Sequence, residues 1–413
     1  MKVIHVLGGG TFSHVRAHTA LAMPAFGDTA RQLAVMYNEY IAASEGLQDW
    51  SVKLHLTKMA DPSSNIITND DVSRVVDELV ADPSTKMIVF NVALCDFNGE
   101  VDAVKSSKHA PRLSSSVQHA MLLTPAEKII DRIRKHRKDI FLIGFKTTAG
   151  ASPQDQYNTA ISRMKRCSAN IMLANDITTR TNMIVVPEEA HYGLGSSRRT
   201  VLMMLVDMSI LRAQLTFTRS TVIDGAAVAW ESDLVPSSLR TVIDHVIQRG
   251  AYKPVNGVTA GHFAVRVSDT QFITSIRKRN FNNLAVEGMV LVESDSPDRV
   301  IAHGAKPSVG GQSQRNIFRD HKDVDCIVHF HCPPRPGISI STREQYPYEC
   351  GSHECGRNTS SGLELYDHGI KAVYLDRHGP NIVFNRAVDP NVVIGFIETH
   401  FDLSRKTDEI LNA

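Results

Sequence analysis

Through roughly the first 205 residues, short β-branched runs alternate with stretches of helical period, and this alternation constrains the fold more than any other feature. "VIHVL" (Val3 to Leu7), "MIVFNV" (Met87 to Val92) and "IFLIGF" (Ile140 to Phe145) have the length and composition of buried strands. Between the last two, "TPAEKIIDRIRKH" carries a capping-box spacing at Thr124 and Glu127. Pro125 takes the first helical position there, and Ala126, Ile129, Ile130 and Ile133 recur at helix period. Strand, helix, strand is the pattern of a parallel sheet, which is buried on both faces and binds ligands at the carboxyl ends of its strands. The expected N-terminal architecture is therefore a Rossmann-like, mostly parallel α/β domain. "VIHVL" should run into a glycine turn at Gly8 to Gly10, facing the segment after Val92 across one crevice.

Pro236 and two serines open a second amphipathic pattern, with Leu239, Val242, Ile243, Val246 and Ile247 on one face and Gly250 closing it. The domain boundary is placed here, giving domains 1–235 and 236–413. Beyond it "HFAVRVSDTQFITSI" reads as a hairpin around Ser268 to Thr270. A strand "GMVLVES", a helix after Gly311 and the apolar run "CIVHFHCPP" follow. In a strand, residues two apart share a face, so His329 and His331 offer two imidazoles to one side while Phe330 faces the other. "IKAVYLDRHG" brings a third imidazole, His378, to another strand end, enough for an open three-histidine site. Read alone, a His-x-His pair is equally an ordinary polar strand end.

Composition limits the partners. With 413 residues, 22% charged, 42% hydrophobic and a formal net charge of +1, the chain has neither a disordered composition nor a basic nucleic-acid surface. No apolar run reaches the roughly 20 residues of a membrane helix. "MKVIHVLGGG" shows no cleavage-site pattern, and six sparse cysteines fit reduced thiols. The expectation is a soluble cytoplasmic protein with small-molecule partners and neither nucleic acid nor membrane. Cys350, His353 and Cys355 form a tight cluster, read either as a second zinc site or as a plain thiol-containing loop.

The order "GHFAVRVSDTQFITS", "GMVLVE", "HGAKPSVGG", "DVDCIVHFHCP" and "LDRHGPNIVF" resembles the class II aldolase/adducin family across residues 237–400. The resemblance implies an α/β/α fold, commonly a tetramer, and a divalent metal, zinc first, on His329, His331 and His378. The implied chemistry is Lewis-acid polarisation of a substrate carbonyl or hydroxyl with stabilisation of an enediolate, usually on sugar phosphates, with Ser308 and Ser275 contacting the phosphate. Two departures stand out. The family's acid after "KPSS" is missing at "KPSVG", where Glu344, Glu349 or Glu354 could substitute, and the family's "GN" asparagine is His262.

"GGGTFSH", "NVALCDFNGEV", "LLTPAEKIIDRIRKHRKDIFLIGFKTTAG" and "RCSANIMLANDI" occur in the order found in phosphopantothenoylcysteine synthetase, and the N-terminal half resembles that family. The likeness implies CTP, or another nucleotide, with magnesium, used to activate a carboxylate for attack by an amine. It carries Gly9, Gly10 and Thr11 to the phosphate side, Phe145 and Asp176 to the nucleotide, Asp96 and Asn175 to catalysis, and Lys108 or Arg112 to the cationic role. Without the resemblance, Asp96 reads as a strand-end cap and Phe145 as core. The family's acyl-stage asparagine falls at Ala20. Together these readings describe a bifunctional metabolic enzyme, ligase-like and aldolase-, epimerase- or dehydratase-like. The alternative is a scaffold that keeps both folds without the chemistry; a dinucleotide oxidoreductase lacks its fingerprint.

Overall fold

The computed structural model describes residues 1–410. Two compact units divide it: Met1–Val185 with Tyr192–Ala213, and Val186–His191 with the described residues from Gln214 onward. The boundary thus falls at 213/214 rather than 235, because Arg219–Ile223 is already a strand of the second unit, paired in parallel with Arg299–His303. The short segment 186–191 also belongs to the second unit, which no linker composition signals.

In the first unit, Trp50–Leu56, Lys2–Gly10, Thr85–Ala93, Phe141–Thr148 and Ile171–Asp176 lie side by side in that order, all parallel. Asn182–Val185 follows antiparallel. Strand order reverses between Lys2–Gly10 and Thr85–Ala93, where Gly10 is in register with Ala93, so the crevice expected of such a sheet opens at those carboxyl ends. Helices cover the faces for legible reasons. Asn69–Ala81 starts in a capping box, Thr68 accepting from the Asp71 amide and Asp71 from the Thr68 amide. Pro153–Cys167 has Ser152 as N-cap, and buries Tyr157, Ala160, Ile161 and Met164 along one stripe.

Two expectations fail here. The glycines form no turn: Lys2–Gly10 is strand throughout. Gly9 sits at φ +100°, and a Cβ there would come 2.2 Å from Thr57 Oγ1, so the glycine run admits close packing of the following loops. Nor does a helix begin at Thr124. Met121–Pro125 is a strand paired with Phe97–Val101, and the helix is confined to Ile130–His136. The unforeseen partner strand outcompetes the local capping signal.

The second unit is built on a mostly antiparallel sheet in the order Arg219–Ile223, Arg299–His303, Met289–Ser296, Gln271–Ser275, His262–Arg266, Cys326–His329, Gly379–Phe384, Lys371–Leu375 and Thr342–Arg343. The hairpin around Ser268 to Thr270 and the helices at 237–248 and 312–320 form where periodicity placed them. Leu239, Val242, Ile243 and Val246 of Ser237–Gln248 pack with Phe263, Val328 and Phe330 on one face. Burial of each such side chain is worth about 1.5–3 kcal/mol. Ala264, Phe272, Val292, Ile317 and Ile327 fill the other face. Val328 and Phe330 therefore point one way and Ile327 the other, which sends the His329 side chain to the face opposite Phe330.

Candidate functional site

Register alone gathers the polar groups of the second unit. His262 pairs with His329 and His329 with Asn381, so three adjacent strands present them in one row on one face. Because neighbouring strands are antiparallel, the end of Gln271–Ser275, the start of His262–Arg266, the end of Cys326–His329 and the start of Gly379–Phe384 share one end of the sheet. The strand stops at His329; His331 lies two residues beyond and His378 in the turn after Leu375.

All three imidazoles are buried, and one nitrogen from each lies within 4.8 Å of the others; among the described residues this is the one His/Cys/Asp/Glu cluster of metal-binding size. His329 Nε2 stands 3.2 Å from His378 Nε2, and the His331 ring centroid is 4.7 Å from that of His378. Two nitrogens each about 2.0–2.1 Å from a zinc ion at a tetrahedral angle would be separated by roughly 3.4 Å, so the spacing suits a shared cation. His329 Nδ1 lies 2.6 Å from the Pro380 carbonyl oxygen. That oxygen can only accept, so Nδ1 carries the proton and Nε2 its lone pair, the arrangement of a metal-binding histidine. Burial lowers the His329 pKa to about 4, against a smaller opposing effect of the Pro380 hydrogen bond, which keeps the ring neutral. The donor set fits a divalent cation.

Gly379 joins this site to the fold. It adopts φ +151°, and a Cβ on it would fall 2.1 Å from the Phe330 carbonyl oxygen, between two histidine-bearing segments. His262 packs 4.8 Å from His329, ring centroid to centroid, and neither of its nitrogens has a hydrogen-bond partner among the described residues. Burial, then the neighbouring His329, holds it well below the usual histidine range. Ser275 and Ser308, also buried, are joined by a 3.0 Å hydrogen bond between hydroxyls. The chain then turns through Val309, Gly310 and Gly311, all at positive φ, into the helix Gln312–Asp320.

The carboxylates named as substitutes do not join this cluster. Glu354 accepts from the Thr216 amide and hydroxyl, Glu344 is exposed, and Glu349 is only half-buried. The second zinc cluster is not formed either. Cys350 and Cys355 contact each other, whereas His353 Nε2 turns to the Thr218 hydroxyl at 3.1 Å. The acid that does reach the histidines is Glu189, with Oε2 4.0 Å from His331 Nδ1. Sequence reasoning missed it because it lies more than a hundred residues upstream, in a segment with no motif.

In the first unit Gly9, Gly10, Thr11, Asp96, Asn175 and Asp176 line the carboxyl edge of the sheet, and Phe145 is half-buried on Phe141–Thr148. Asp96 is exposed and ion-paired with Lys128; Lys108 is exposed on a loop after Phe97–Val101. Lys128, which sequence reading left unassigned, is thus the cation beside Asp96. Thr11 is fully buried. Its hydroxyl donates to Asn69 Oδ1 at 2.7 Å and accepts from the Cys95 amide at 2.9 Å, which makes it a brace for the strand-end loop rather than a ligand contact. Asp176 needs the same correction. It accepts from the Thr148 hydroxyl and the amides of Gly150, Ala151, Thr178 and Thr179, which occupy its roughly four lone-pair directions and leave none for a nucleotide. Burial pushes this carboxyl up, but the donors from Thr179, Ala151, Gly150 and Thr148 outweigh it and hold it well below the usual carboxylate range. Such a group stabilises the fold above its unfolded pKa of about 3.9 and loses that contribution as pH falls towards the folded value. Acid unfolding followed by circular dichroism should accordingly show a shallower loss of stability below pH ~4 in Asp176→Asn than in wild type.

Residues 246–388 match the Class II Aldolase and Adducin N-terminal domain. The aldolase-like region so defined contains His262, Ser275, Ser308, His329, His331 and His378 but excludes Glu189. A 142-residue stretch is 27% identical to the coenzyme A biosynthesis bifunctional protein CoaBC of Thermococcus kodakarensis, covering 33% of this chain and 34% of that protein. The chain thus spans about a third of that relative's length. The DNA/pantothenate metabolism flavoprotein of Streptococcus pneumoniae overlaps 50% of this chain and 97% of its own, with a TM-score of 0.41 at 18% identity. L-fuculose-1-phosphate aldolase of Thermus thermophilus overlaps 40% and 89%, with a TM-score of 0.29 at 16% identity. The chain thus joins a region similar to a coenzyme A biosynthesis protein to a region matching the class II aldolase and adducin domain. Among the described residues no helix is long and apolar enough to cross a membrane.

Proposed function

We propose that this chain is a bifunctional metabolic enzyme. Its second unit is a divalent-metal-dependent lyase-, epimerase- or dehydratase-type catalyst for a small phosphorylated or polyhydroxy substrate, and its first a nucleotide-dependent carboxylate–amine ligase. The observation that carries the first half of this reading is the convergence of His329, His331 and His378, with the His329 tautomer set by Pro380. Those three residues would hold the ion, zinc being the first choice for three imidazoles, and a bound cation supplies Lewis-acid polarisation of a substrate oxygen. His262 offers the two unpartnered nitrogens through which the protein orients the substrate's polar atoms. Ser275 and Ser308, with the positive-φ turn that follows, provide hydroxyls and amides for a phosphate. A homo-oligomer, tetrameric by analogy with the family, and a cytoplasmic location belong to the same proposal.

For the ligase half, the parallel sheet with its switch point beside Asp96 supports a nucleotide at the carboxyl edge, with magnesium on its phosphates and CTP as the first candidate. Asp96 and Lys128 form an exposed pair there, free of the structural duties that occupy Asp176. Calorimetric titration with CTP and magnesium should give saturable binding to wild type, weakened at least about tenfold in Asp96→Ala. Absence of binding by any of the four nucleoside triphosphates removes this half of the proposal.

A further inference from the structure

We propose that Glu189 is the positioning carboxylate of the histidine centre, orienting His331 for the cation; the inference rests on the metal-centre reading above. A histidine that binds a metal through one ring nitrogen commonly turns the other towards a carboxylate, carbonyl or water, which fixes tautomer and ring orientation and raises basicity. Pro380 performs this service for His329. For His331 the facing group is Glu189, whose Oε2 lies 4.0 Å from Nδ1. At that separation the influence is electrostatic: a carboxylate there favours the tautomer with its proton on Nδ1 and leaves Nε2 to the cation.

The protein holds Glu189 in place from several directions. Its side chain is only 1% exposed, and its charge is met by an ion pair with Lys406. A buried carboxylate is costly unless it is paired in this way. Thr407, next to Lys406, donates its amide to the His331 carbonyl at 2.9 Å, so the segment supplying the counter-charge is tied to the ligand itself. On either side of Glu189, Glu188 Oε1 accepts from the Cys350 amide at 2.6 Å and the His191 amide donates to Asp408 at 2.6 Å. Arg377, immediately before His378, donates to both the His191 carbonyl and Asp408 at 3.0 Å. Glu189, Arg377 and Asp408 all sit at positive φ, between +56° and +66°, although none is glycine. Left-handed backbone at such residues persists where surrounding contacts over-determine it, and it concentrates at functional sites. Here one of them is Glu189 itself, and the other two, Arg377 and Asp408, are bonded to each other and to His191 two residues on.

The test uses the full-length chain stripped of metal, titrated with Co²⁺ followed by its ligand-field absorption and with Zn²⁺ against a chromophoric chelator. Wild type, Glu189→Gln and Glu189→Asp are compared, with metal-free melting curves recorded for each. Expected are one equivalent bound by wild type, affinity lowered about 10- to 100-fold with an altered Co²⁺ spectrum in Glu189→Gln, and an intermediate value in Glu189→Asp; the metal-free melting curves record separately the stability lost when Lys406 is left without its counter-charge. Wild-type affinity and spectrum in Glu189→Gln overturn the assignment while leaving the metal centre intact. No uptake by wild type refutes the metal-centre reading itself. Should Glu189→Gln fail to fold, Glu189→Asp decides: weaker binding supports the role, and unchanged binding overturns it.

Discussion

A His329→Ala/His331→Ala variant is expected to lose stoichiometric divalent metal, with affinity falling by more than the roughly 100-fold that loss of a group merely supporting a ligand can cost. The double substitution removes two of three converging donors and leaves His378 alone, and a single imidazole cannot hold the ion against water. Elemental analysis of the purified proteins is the direct measurement. A second readout is thermal: a cation at a thousandfold excess over its dissociation constant stabilises the folded state by roughly 4 kcal/mol. Chelation should therefore lower the melting temperature of wild type and leave that of the variant unchanged. Metal retained at one equivalent in the variant would remove the three-histidine assignment, and with it the lyase half of the proposed function.

Gly379→Ala should be the most damaging single substitution near the site. The added Cβ would meet a backbone oxygen, that of Phe330, at 2.1 Å, and the position already lies at φ +151°. Overpacking costs about 1–3 kcal/mol and left-handed backbone at a non-glycine about 1–2 kcal/mol, so a loss of roughly 3 kcal/mol is expected. A urea midpoint shifted at unchanged slope is the signature to look for. Because Phe330 lies between His329 and His331, and Gly379 follows His378, relief of the clash must move ligands apart. Weaker Co²⁺ binding should accompany the lost stability. Full stability with full metal affinity would show that the strand pair tolerates displacement there.

The pattern of residues carried much of this architecture, and where it did the cause is local. A period of two over Cys326–His329 and of three to four over Ser237–Gln248 decides which side chains can share a face, whatever the rest of the chain does. The three histidines were legible for that reason: each stands at or just beyond the end of an apolar strand, where a polar side chain must find a use. Thr124 misled because a capping box is a short-range preference worth about 1 kcal/mol, and a strand partner from Phe97–Val101 offers a full hydrogen-bond ladder instead. Asp176 misled in another way. Its motif marks a position at a strand end, but only the folded loops reveal that five donors already converge on it.

Glu189 marks the limit of what the amino-acid order can reveal. Local periodicity placed the strands Lys2–Gly10, Thr85–Ala93 and Phe141–Thr148, the helix Ser237–Gln248 and the histidine-bearing strand ends, because those depend on neighbours a few residues apart. The tertiary structure alone decided which carboxylate faces His331, that segment 186–191 joins the second unit, and that Thr11 and Asp176 brace loops. The physical reason is that these depend on contacts across many tens of residues or more, which side-chain burial and hydrogen-bond satisfaction select only once the whole chain has packed.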